Sequence, residues 1–483
     1  MTTSPESPAP ALAPSDPGAP QAQAAPGFAA LGLAPAVVAN LNQLGYVAMT
    51  PIQAAALPPA LAGRDLIAQA RTGSGKTAAY GLPLLTRLQP ATLTVQALVL
   101  CPTRELAEQV TQELRRLGRF VDNLKILCLC GGSPLAPQAD SLEHGVHVVV
   151  GTPGRLLDHL ERGSLDLARV ATLVLDEADR MLDMGFFDAI AQVVERCPSQ
   201  RQTLLFSATY PEGIAQLAGR FLRQPETVKA EESPAGGQIR QRFYEIKHEE
   251  RFAAVVTLLR HFRPVSTLAF CNTKQQCRDL RDYLYQADID ALTLNGDLEQ
   301  RDRDQVLIRF ANRSCSVLVA TDLAARGLDI DQLEAVINVD VTPDPEIYVH
   351  RIGRTGRGDR DGWAFSLVSP RDKRRVADIA QFTGMEPEWH GLGELQSHND
   401  SPLRAPMATL LILGGRKDKL RAGDLLGALT GTVGLGKEQV GKITVTDQTS
   451  YVAVARPQAR EALRRLTAGK VKGRKIKARL LED

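Results

Sequence analysis

The sequence predicts an α/β protein with two tandem parallel-sheet domains and a small C-terminal domain of strand order βαββαβ. Three observations predict this fold class. Short, near-continuous apolar runs alternate with helical stretches from about residue 28 to 230, which indicates a parallel sheet covered by helices on both faces. The same alternation restarts after residue 238. The last 80 residues, 404–483, have another composition and another order of elements.

The first domain is expected over residues 28–231. The preceding residues, 1–27, are mostly Pro, Ala, Ser and Gln and are expected to be disordered, because they cannot form an apolar core. The candidate strands of the domain are short apolar runs separated by stretches of helical length. They are DLIAQA (65–70), ALVLCP (97–102), KILCLC (125–130), HVVVGT (147–152), ATLVLD (171–176) and TLLFSA (203–208).

A second α/β domain is expected over residues 239–383. The run EESPAGGQ begins at residue 231, and residues 232–238 are predicted to be a linker between the two domains. A polar stretch over 384–403 is expected to be a second linker. The candidate strands between the two linkers are TLAFCN (267–272), ALTLNG (291–296), SVLVAT (316–321), AVINVD (335–340) and WAFSLV (363–368).

The C-terminal domain is expected over residues 404–483 as a split sheet of the ferredoxin-like or RRM type. Its strands are ATLLIL (408–413), KITVTD (442–447), SYVAVA (450–455) and IKARLL (476–481), with helices at about 421–430 and 457–467. This domain holds 17 of the 57 basic and 7 of the 55 acidic residues, so its net charge is +10 and that of the preceding chain is −8. A basic domain on a mildly acidic body indicates a nucleic-acid partner at this end.

Composition excludes several classes of protein. No apolar run approaches the roughly 18 residues of a membrane span. The N-terminus, MTTSPESPAP, lacks the basic start and apolar stretch of a secretory signal. The seven cysteines are odd in number and form no CxxC pair, which predicts reduced thiols in a cytoplasmic protein and neither a disulfide framework nor a zinc site.

The run DLIAQARTGSGKTAAY places a Gly-rich turn between a strand and a helix. Backbone N–H groups in such a turn hold phosphate oxygens, aided by the N-terminus of the helix. Lys76 would reach the β- and γ-phosphates, and the Thr77 hydroxyl would bind Mg²⁺. The usual pattern has Gly where this chain has Ala70. Taken alone, the turn predicts binding of a nucleoside triphosphate and leaves ABC, AAA and helicase ATPases open.

A second motif, VLDEAD, ends a buried strand with two adjacent acids about 100 residues after this turn. Asp176, at the strand end, is placed to hold Mg²⁺, commonly through water. Glu177 can orient and deprotonate the attacking water. Acids at such a position also cap helices, but the spacing from the Gly-rich turn favours the catalytic interpretation.

With these motifs in place, residues 28–370 resemble a DEAD-box RNA helicase. The motifs occur in the family's order: GYVAMTPIQ (45–53), ARTGSGKT (70–77), PTRELA (102–107), GG (131–132), TPGR (152–155), DEAD (176–179), SAT (207–209), FCNT (270–273), QRDR (300–303), ATDLAARGLD (320–329) and HRIGRTGR (350–357). The family usually has alanine at the position of Ala70. The resemblance implies two RecA-like domains that use ATP and Mg²⁺.

The resemblance also implies roles for single residues. Gln53 would read the adenine edge, Phe28 would stack on the ring unless it is a core aromatic, and Asp329 would contact the ribose. Arg354 and Arg357 would act on the phosphates, completing a catalytic group with Lys76, Asp176 and Glu177. Residues that link hydrolysis to RNA would be Ser207, Thr209, His350 and Arg351, although the two hydroxyls could equally cap a helix. The ATP-binding group is Phe28, Gln53, Arg71, Thr72, Gly73, Ser74, Gly75, Lys76, Thr77 and Asp329.

An RNA groove is implied on both domains, read through phosphate and 2′-OH contacts that do not depend on sequence. Its members on the first domain are Pro102, Thr103, Arg104, Gly132, Thr152, Gly154 and Arg155. On the second domain they are Asn272, Thr273, Gln300, Arg303, Thr321 and Asp322. This sequence departs from the family at Asn295, where the family often has His in a loop that contacts RNA.

Residues 404–483 resemble the RNA-binding domain of DbpA-type helicases, a bacterial group that recognises a hairpin of large-subunit ribosomal RNA during ribosome assembly. An RRM that stacks bases needs aromatic residues in its two central strands, and here the second strand offers only Tyr451. Binding is therefore expected through basic loops and one or two bases. The expected contacts are Lys417, Tyr451, Lys472, Arg474 and Lys475.

Three functions remain open at this point. The first is a monomeric cytoplasmic helicase that opens short RNA duplexes with ATP and associates with ribosomal RNA and pre-ribosomal particles. The second is an ATP-gated RNA clamp or assembly scaffold with little unwinding. The third, a DNA-directed motor, is disfavoured by the RNA-type motifs and the basic C-terminal domain.

Overall fold

The computed structural model describes residues 27–70, 73–210, 212–229, 239–325, 333–356, 361–395 and 402–481. The predicted N-terminal extension up to residue 26 and the predicted linker 232–238 lie outside these ranges. So do four predicted site residues, Arg71, Thr72, Asp329 and Arg357.

The first domain is a seven-stranded parallel sheet of strand order β3-β4-β2-β5-β6-β1-β7. Its central strands are buried along their whole length, as their continuous apolar sequence requires. The strands are β1 (Leu66–Gln69), β2 (Ala97–Leu100), β3 (Ile126–Leu129), β4 (Val148–Gly151), β5 (Thr172–Leu175), β6 (Gln202–Ser207) and β7 (Glu226–Lys229). The helices are α1 (Pro35–Gln43), α2 (Pro51–Leu61), α3 (Lys76–Thr86), α4 (Arg104–Leu117), α5 (Leu135–Glu143), α6 (Pro153–Glu161), α7 (Ala178–Asp183), α8 (Phe187–Glu195) and α9 (Glu212–Phe221).

The second domain repeats this architecture in a parallel sheet of order β10-β11-β9-β12-β13-β8-β14. Its strands are β8 (Ile239–Glu245), β9 (Thr267–Phe270), β10 (Ala291–Leu294), β11 (Val317–Ala320), β12 (Ala335–Asn338), β13 (Gly362–Val368) and β14 (Trp389–His390). Its helices are α10 (Arg251–Phe262), α11 (Lys274–Gln286), α12 (Gln300–Ala311), α13 (Asp322–Ala325), α14 (Pro345–Ile352) and α15 (Lys373–Thr383).

The C-terminal domain is a four-stranded antiparallel sheet of order β16-β17-β15-β18, with helices against one face. Its strands are β15 (Met407–Leu413), β16 (Val440–Val445), β17 (Ser450–Ala455) and β18 (Lys477–Leu481), and its helices are α16 (Ala422–Gly427) and α17 (Ala459–Ala468). The predicted fold class, two parallel-sheet domains followed by a βαββαβ domain, is confirmed.

The second predicted linker differs from the structure in its first part. Within 384–395, the short strand β14 pairs with β8, and Leu392 and Leu395 pack against the core of the second domain. Strands β8 and β14 are the last two strands on this side of the second sheet. Neither was predicted, because their sequences mix charged and aromatic residues. Strand β7 was missed because three of its four residues, ETVK, are polar, and only alternate residues are partly buried at the sheet edge.

Two further features bear on the sequence predictions. All seven cysteines are free thiols, and six of them are buried. Within the parts of the chain that the structure describes, every helix is too short or too polar to cross a lipid bilayer.

Candidate functional site

The Gly-rich turn lies between β1 and α3, as predicted, and α3 begins at Lys76. Gly73 and Gly75 have φ of 81° and 91°, in the left-handed region that favours glycine. A Cβ at position 75 would collide with the side-chain amide of Gln53. The turn therefore needs glycine both for its backbone conformation and for the close approach of α2. Ser74 and Thr77 are half-buried in and beside it.

Gln53 holds this turn in place from the start of α2. Its Nε2 donates to the Gly75 carbonyl at 3.1 Å, and its Oε1 accepts from the Thr50 backbone at 3.0 Å. Thr50 Oγ1 donates to the Ser74 carbonyl at 2.7 Å. Both ends of the Gln53 amide are thus engaged within the protein, and adenine recognition by this side chain would require an exchange of these hydrogen bonds. Phe28 is 3% exposed and packs edge-on against Tyr46, in the position of a core aromatic.

The two acids of the second motif follow β5, two strands away from the Gly-rich turn in the sheet. Asp176 accepts a hydrogen bond from Tyr80 Oη of α3 at 2.8 Å. Glu177 has φ of 50° and accepts from Arg180 Nη1 at 2.7 Å. A non-glycine residue in the left-handed region is strained, and such residues cluster at active sites. The strand end therefore presents two adjacent carboxylates, each held by a different partner.

Two polar atoms in this site are buried without a hydrogen-bond partner among the described residues, Lys76 Nζ and Asp176 Oδ1. A buried ammonium and a buried carboxylate oxygen both cost free energy unless a ligand satisfies them. Triphosphate oxygens would satisfy the first, and a Mg²⁺ ion with its water would satisfy the second. With the Thr77 hydroxyl next to Lys76, the residues present fit ATP and Mg²⁺.

The pKa values of the two acids are shifted in opposite directions. Burial raises the pKa of Asp176, in spite of the nearby Lys76 charge. Burial acts in the same direction on Glu177, but the charges of Arg180, Lys76 and Arg354 outweigh it and lower the pKa of Glu177 below its ordinary value. Glu177 is therefore ionised at neutral pH and can accept a hydrogen bond from a water molecule.

The DEAD and SAT motifs are joined through Asp179. Its Oδ2 accepts from the backbone N–H of Ala208 and Thr209 and from Thr209 Oγ1, at 2.9 to 3.1 Å. In return, the Asp179 backbone donates to Ser207 Oγ at 3.3 Å. Ser207 and Thr209, the two hydroxyl residues predicted to link hydrolysis to RNA, are thus hydrogen-bonded to the acidic motif that follows β5.

The second domain faces this site with α14 and the turn after it. Arg354 is 4% exposed, and its charge helps to lower the pKa of Glu177. Arg351 turns inward instead: it binds both carboxylate oxygens of Asp322 at 2.6 and 2.7 Å and lies over the Phe270 ring. The two arginines therefore differ in role. Arg351 is held by contacts within the second domain, whereas the charge of Arg354 acts on Glu177 of the first domain.

His350 lies in the same cleft. Burial, with the charges of Arg180 and Arg354, lowers the pKa of its imidazole to about 4, while the carboxylates of Asp179 and Glu177 act in the opposite direction. Because Arg180 and Asp179 belong to the first domain, this shift depends on the two domains being together. Protonation of His350 would therefore oppose their contact.

The pH dependence follows from this shift. Domain contact should be fully favourable above about pH 6.5, the ordinary pKa of histidine, and should weaken as the pH falls toward 4. For the wild type, kcat/KM for RNA-stimulated ATP turnover is expected to be roughly tenfold lower at pH 5.5 than at pH 7.5. His350→Gln should flatten that profile, because glutamine does not titrate. A profile unchanged by the substitution would show that His350 does not control domain contact.

The RNA residues predicted on the two domains meet across the cleft. Arg104 Nη1 donates to Gln300 Oε1 at 2.7 Å, and Arg303 forms an ion pair with Glu105. Gly132 has φ of 79°, and a Cβ there would collide with Arg104. The start of α4, the GG turn and the start of α12 therefore form one continuous surface.

Other members of the predicted groove have their polar groups engaged locally. Thr103 and Thr273 each accept a backbone N–H in the first turn of the helix that follows them, at 3.3 and 3.1 Å. Arg155 donates to the Ser133 carbonyl at 3.0 Å. The Asn272 backbone donates to the carboxylate of Asp340.

Asp322 differs most from the prediction, because its carboxylate accepts hydrogen bonds from Arg351 and so stabilises the second domain itself. Of the remaining members, Pro102 is buried, Thr152 and Thr321 are half-buried and Gly154 is exposed.

One predicted RNA contact of the C-terminal domain, Tyr451, lies in a buried position. Tyr451 is only 6% exposed and forms a cluster with Leu411 and Leu481, against which Ile308 of α12 packs. In this arrangement the ring is buried between two domains and offers no face to an RNA base. The physical reason is that the sheet face of this domain lies against the second domain.

The predicted basic loops, in contrast, are exposed. Lys417, Lys472, Arg474 and Lys475 all lie at the surface. Lys472 Nζ donates to the Lys419 carbonyl at 3.0 Å and pairs with Asp424 at 3.3 Å, so the loop before β18 is tied to the loop after β15.

Sequence reasoning missed three side chains that order the site: Tyr80, Arg180 and Asp179. Tyr80 lies four residues after Lys76 on the helix that the Gly-rich turn begins. Arg180 lies three residues after Glu177, the spacing of neighbouring residues on a helix. Helical spacing from the predicted catalytic residues could therefore have indicated two of them.

Family models match three successive stretches of the chain. The DEAD/DEAH box helicase model matches residues 50–217, the helicase conserved C-terminal domain 250–359, and the DbpA RNA binding domain 409–480. The two halves of the candidate site and the basic C-terminal domain thus each fall within a separate matched stretch.

Similar proteins cover nearly the whole chain. The ATP-dependent RNA helicase DbpA of Escherichia coli K12 is 52% identical over 93% of this chain and 98% of that protein. The DbpA of Bacillus subtilis 168 is 36% identical over 91% of this chain and 96% of that one. Among solved structures, Saccharomyces cerevisiae Dbp5 bound to RNA and ADP BeF3 gives a TM-score of 0.69 at 31% identity, over 76% of this chain and 96% of that one.

Proposed function

The chain belongs to the DEAD-box RNA helicases with a DbpA-type RNA-binding domain, a family of RNA-dependent ATPases, and from this premise we propose that it couples RNA-stimulated ATP hydrolysis to local unwinding of short RNA duplexes. One observation carries the proposal. Lys76, Asp176 and Glu177 lie in the first domain, whereas Arg354 reaches the same electrostatic environment from the second. A catalytic site divided in this way is complete only when the two domains are together.

In the proposed mechanism, the first domain binds and orients ATP. The turn at residues 73–75 and the ammonium of Lys76 would hold the phosphates, and Thr77 and Asp176 would hold Mg²⁺, which neutralises phosphate charge when bound. The remaining ATP contacts are proposed for Phe28, Gln53 and, beyond the described residues, Arg71, Thr72 and Asp329. Tyr80 keeps Asp176 oriented through its 2.8 Å hydrogen bond.

Glu177 would orient the attacking water, and its carboxylate would accept the water's proton as the bond from the water oxygen to the γ-phosphorus forms and the bond from that phosphorus to the bridging oxygen of ADP breaks, leaving ADP and phosphate. Arg180 fixes the Glu177 carboxylate at 2.7 Å. Arg354, with Arg357, would stabilise the charge that develops on the transferred phosphoryl group. Because these arginines come from the second domain, turnover depends on the contact between the domains.

RNA enters the proposal through the surface shared by the two domains. An RNA strand lying across α4, the GG turn and α12 would favour the joined arrangement, since its phosphates would contact both halves. The resemblance to Dbp5 bound to RNA and ADP BeF3 supports this step. Closure would bend one strand and so melt a short duplex, and phosphate release would reopen the cleft.

The target that we propose is a hairpin of large-subunit ribosomal RNA, bound during ribosome assembly in the cytoplasm by a monomeric protein. The match of residues 409–480 to the DbpA RNA binding domain supports it. So does the net charge of +10 over residues 404–483. The four exposed basic side chains Lys417, Lys472, Arg474 and Lys475 are the proposed contacts.

Neutralising Lys472, Arg474 and Lys475 together to glutamine is expected to weaken binding of large-subunit ribosomal RNA by at least about tenfold at moderate salt. The slope of log K against log[salt] should become less steep by about 2 to 3, because each phosphate that the protein no longer neutralises reduces it by roughly 0.7 to 0.9. Filter binding over a salt series measures both quantities. The triple variant Lys437→Gln, Lys442→Gln, Arg464→Gln removes the same charge from other exposed positions. Equal losses of affinity in the two variants would reject the basic loops as the binding site.

A strand-displacement assay on a short RNA duplex tests the proposed activity. ATP should drive strand displacement, and a non-hydrolysable ATP analogue should not support repeated rounds of displacement. RNA-dependent ATP hydrolysis without displacement would favour the alternative of an ATP-gated clamp. Equal activity on a DNA duplex of the same sequence would contradict the preference for RNA.

A further inference from the structure

Two turns that carry predicted RNA contacts follow neighbouring strands at the same edge of the first sheet. β3 ends at Leu129 and leads to the GG turn (131–132), and β4 ends at Gly151 and leads to the TPGR turn (152–155). The two strand ends pair directly, and the Thr152 backbone donates to the Leu129 carbonyl at 3.2 Å. The turns are therefore neighbours at their bases, and side chains decide how their outer parts are held.

One buried side chain, Gln138 of α5, joins the two turns. It is 9% exposed, and its Nε2 donates to the carbonyl of Cys130, the residue before the GG turn, at 3.1 Å. Its Oε1 accepts from Nη1 of Arg155, the last residue of the TPGR turn, at 2.8 Å. The same Arg155 Nη1 donates to the carbonyl of Ser133, directly after the GG turn, at 3.0 Å. Gln138 and Arg155 together therefore hold the GG turn from both sides.

A third contact fixes the orientation of the Gln138 amide. His159, one turn after Arg155 on α6, is fully buried, and its Nε2 lies 3.0 Å from Gln138 Oε1. Burial lowers the pKa of His159, so the ring is neutral and carries a single N–H at neutral pH. Because Gln138 Oε1 can only accept, that proton lies on Nε2, and Nδ1 faces Ser164 Oγ at 2.8 Å. A rotated amide would place its NH₂ group against two donors, so the amide has one favourable orientation.

These contacts reach the cleft between the domains. The GG turn lies against the Arg104 side chain, which donates to Gln300 Oε1 of the second domain at 2.7 Å. The side chain of Arg155 is only 11% exposed, so in this structure its guanidinium supports the turns from below. The backbone of both turns is open to solvent at Gly132 and Gly154. The surface that the two turns present is therefore mainly backbone, held in place by buried side chains.

We propose that Gln138 is a positioning residue for RNA binding by the first domain, because it holds the GG and TPGR turns as one rigid surface. Both turns are then in place for the phosphates of one strand, and RNA does not have to order them as it binds. The role rests on the proposed function, since it takes the two turns to lie along bound RNA. Gln138 acts through Arg155 and the backbone, and we assign it no contact with RNA.

The expected effect of losing these contacts is on RNA affinity more than on chemistry. Without the Gln138 amide, a carbonyl, a guanidinium and an imidazole lose a buried partner, and both turns become less ordered. RNA must then order them as it binds, which should weaken binding by about tenfold. Once RNA is bound at saturation the turns are in place again, so the chemical step in the cleft should be nearly unchanged.

Two substitutions in the full chain separate the contacts of Gln138. Gln138→Leu keeps the approximate side-chain volume and removes the hydrogen bonds to both turns. Gln138→Glu keeps the acceptor for Arg155 and His159 but cannot donate to the Cys130 carbonyl. Gln192→Leu and Gln192→Glu are the matched controls, because Gln192 is an exposed glutamine of α8 in the same domain. Each protein is measured for amide exchange without RNA, for binding of poly(A) with a non-hydrolysable ATP analogue, and for poly(A)-stimulated ATP turnover.

Gln138→Leu is expected to speed amide exchange in both turns, within residues 131–133 and 152–155. Gln138→Glu should speed it only within 131–133, because Arg155 keeps its acceptor. The half-saturating poly(A) should rise about tenfold in the leucine variant and by less in the glutamate variant. For both variants, kcat at saturating poly(A) should stay within about twofold of the wild type, and the half-saturating ATP should be unchanged. The two control variants should match the wild type throughout.

Unchanged exchange in the leucine variant, or wild-type poly(A) affinity in spite of faster exchange, would overturn the positioning role. So would a joint fall in kcat and in ATP affinity, because it would show that Gln138 only stabilises the domain. A wild type that does not bind poly(A) would refute the proposed function itself. In that case the exchange data, which need no RNA, would still decide whether Gln138 joins the two turns.

Discussion

Arg354→Ala is expected to lower RNA-stimulated ATP turnover by about 10³-fold or more, within the range of an arginine finger. Arg354 is 4% exposed in the cleft, and its charge contributes to the low pKa of Glu177 on the opposite domain. In the proposed mechanism, Arg354 meets the transferred phosphoryl group only when the domains are together. The measurement is kcat for ATP at saturating RNA, with RNA binding determined separately.

A loss of this size must be distinguished from misfolding, because Arg354 is buried. ATP binding by the first domain should survive the substitution, so a change in kcat with little change in the apparent affinity for ATP indicates a transition-state role. Arg374→Ala removes an exposed arginine of α15 in the same domain, away from the cleft and the RNA surface, and should leave turnover unchanged. If Arg354→Ala and Arg357→Ala together retained RNA-stimulated turnover, the finger assignment would be excluded.

Much of the site could be predicted because its residues follow strand ends. In a parallel sheet the carboxyl ends of the strands share one edge, so Lys76 after β1 and Asp176 after β5 had to lie near each other. The apolar runs that identified those strands are buried over most or all of their length. Local periodicity and a common sheet edge are therefore sufficient to place the two acids that we propose as catalytic beside the Gly-rich turn.

Contacts between domains could not be predicted in the same way. The sequence around Tyr451 indicates a strand but not which face of the sheet is covered, since both faces of β17 carry apolar residues. Its burial depends on Ile308, which lies more than 140 positions earlier in the chain. Strand β8, next to the sheet edge, was missed because its sequence is charged and aromatic, and it is stabilised there by pairing with β13 and β14. Tertiary pairing overrides local propensity at such positions.

Glu177→Gln is expected to reduce ATP turnover by about 10²–10⁴-fold, the usual contribution of a general base. Glu177 is held ionised by Arg180 at 2.7 Å and by the charges of Lys76 and Arg354. Glutamine keeps the shape and can accept a hydrogen bond from Arg180, but it cannot take a proton from water. Single-turnover hydrolysis with RNA present measures the chemical step directly.

The same variant should retain, or exceed, the wild-type affinity for RNA in the presence of ATP. Removing the Glu177 charge leaves Lys76, Arg180 and Arg354 with an excess of positive charge, which the triphosphate then balances, so the joined state that awaits hydrolysis should persist. Glu195→Gln, at an exposed carboxylate of the same domain, should change neither quantity. Normal hydrolysis by Glu177→Gln would show that another group activates the water. Loss of ATP-dependent RNA binding together with hydrolysis would show instead that Glu177 is needed to assemble the site, because in that case its charge would act before the chemical step.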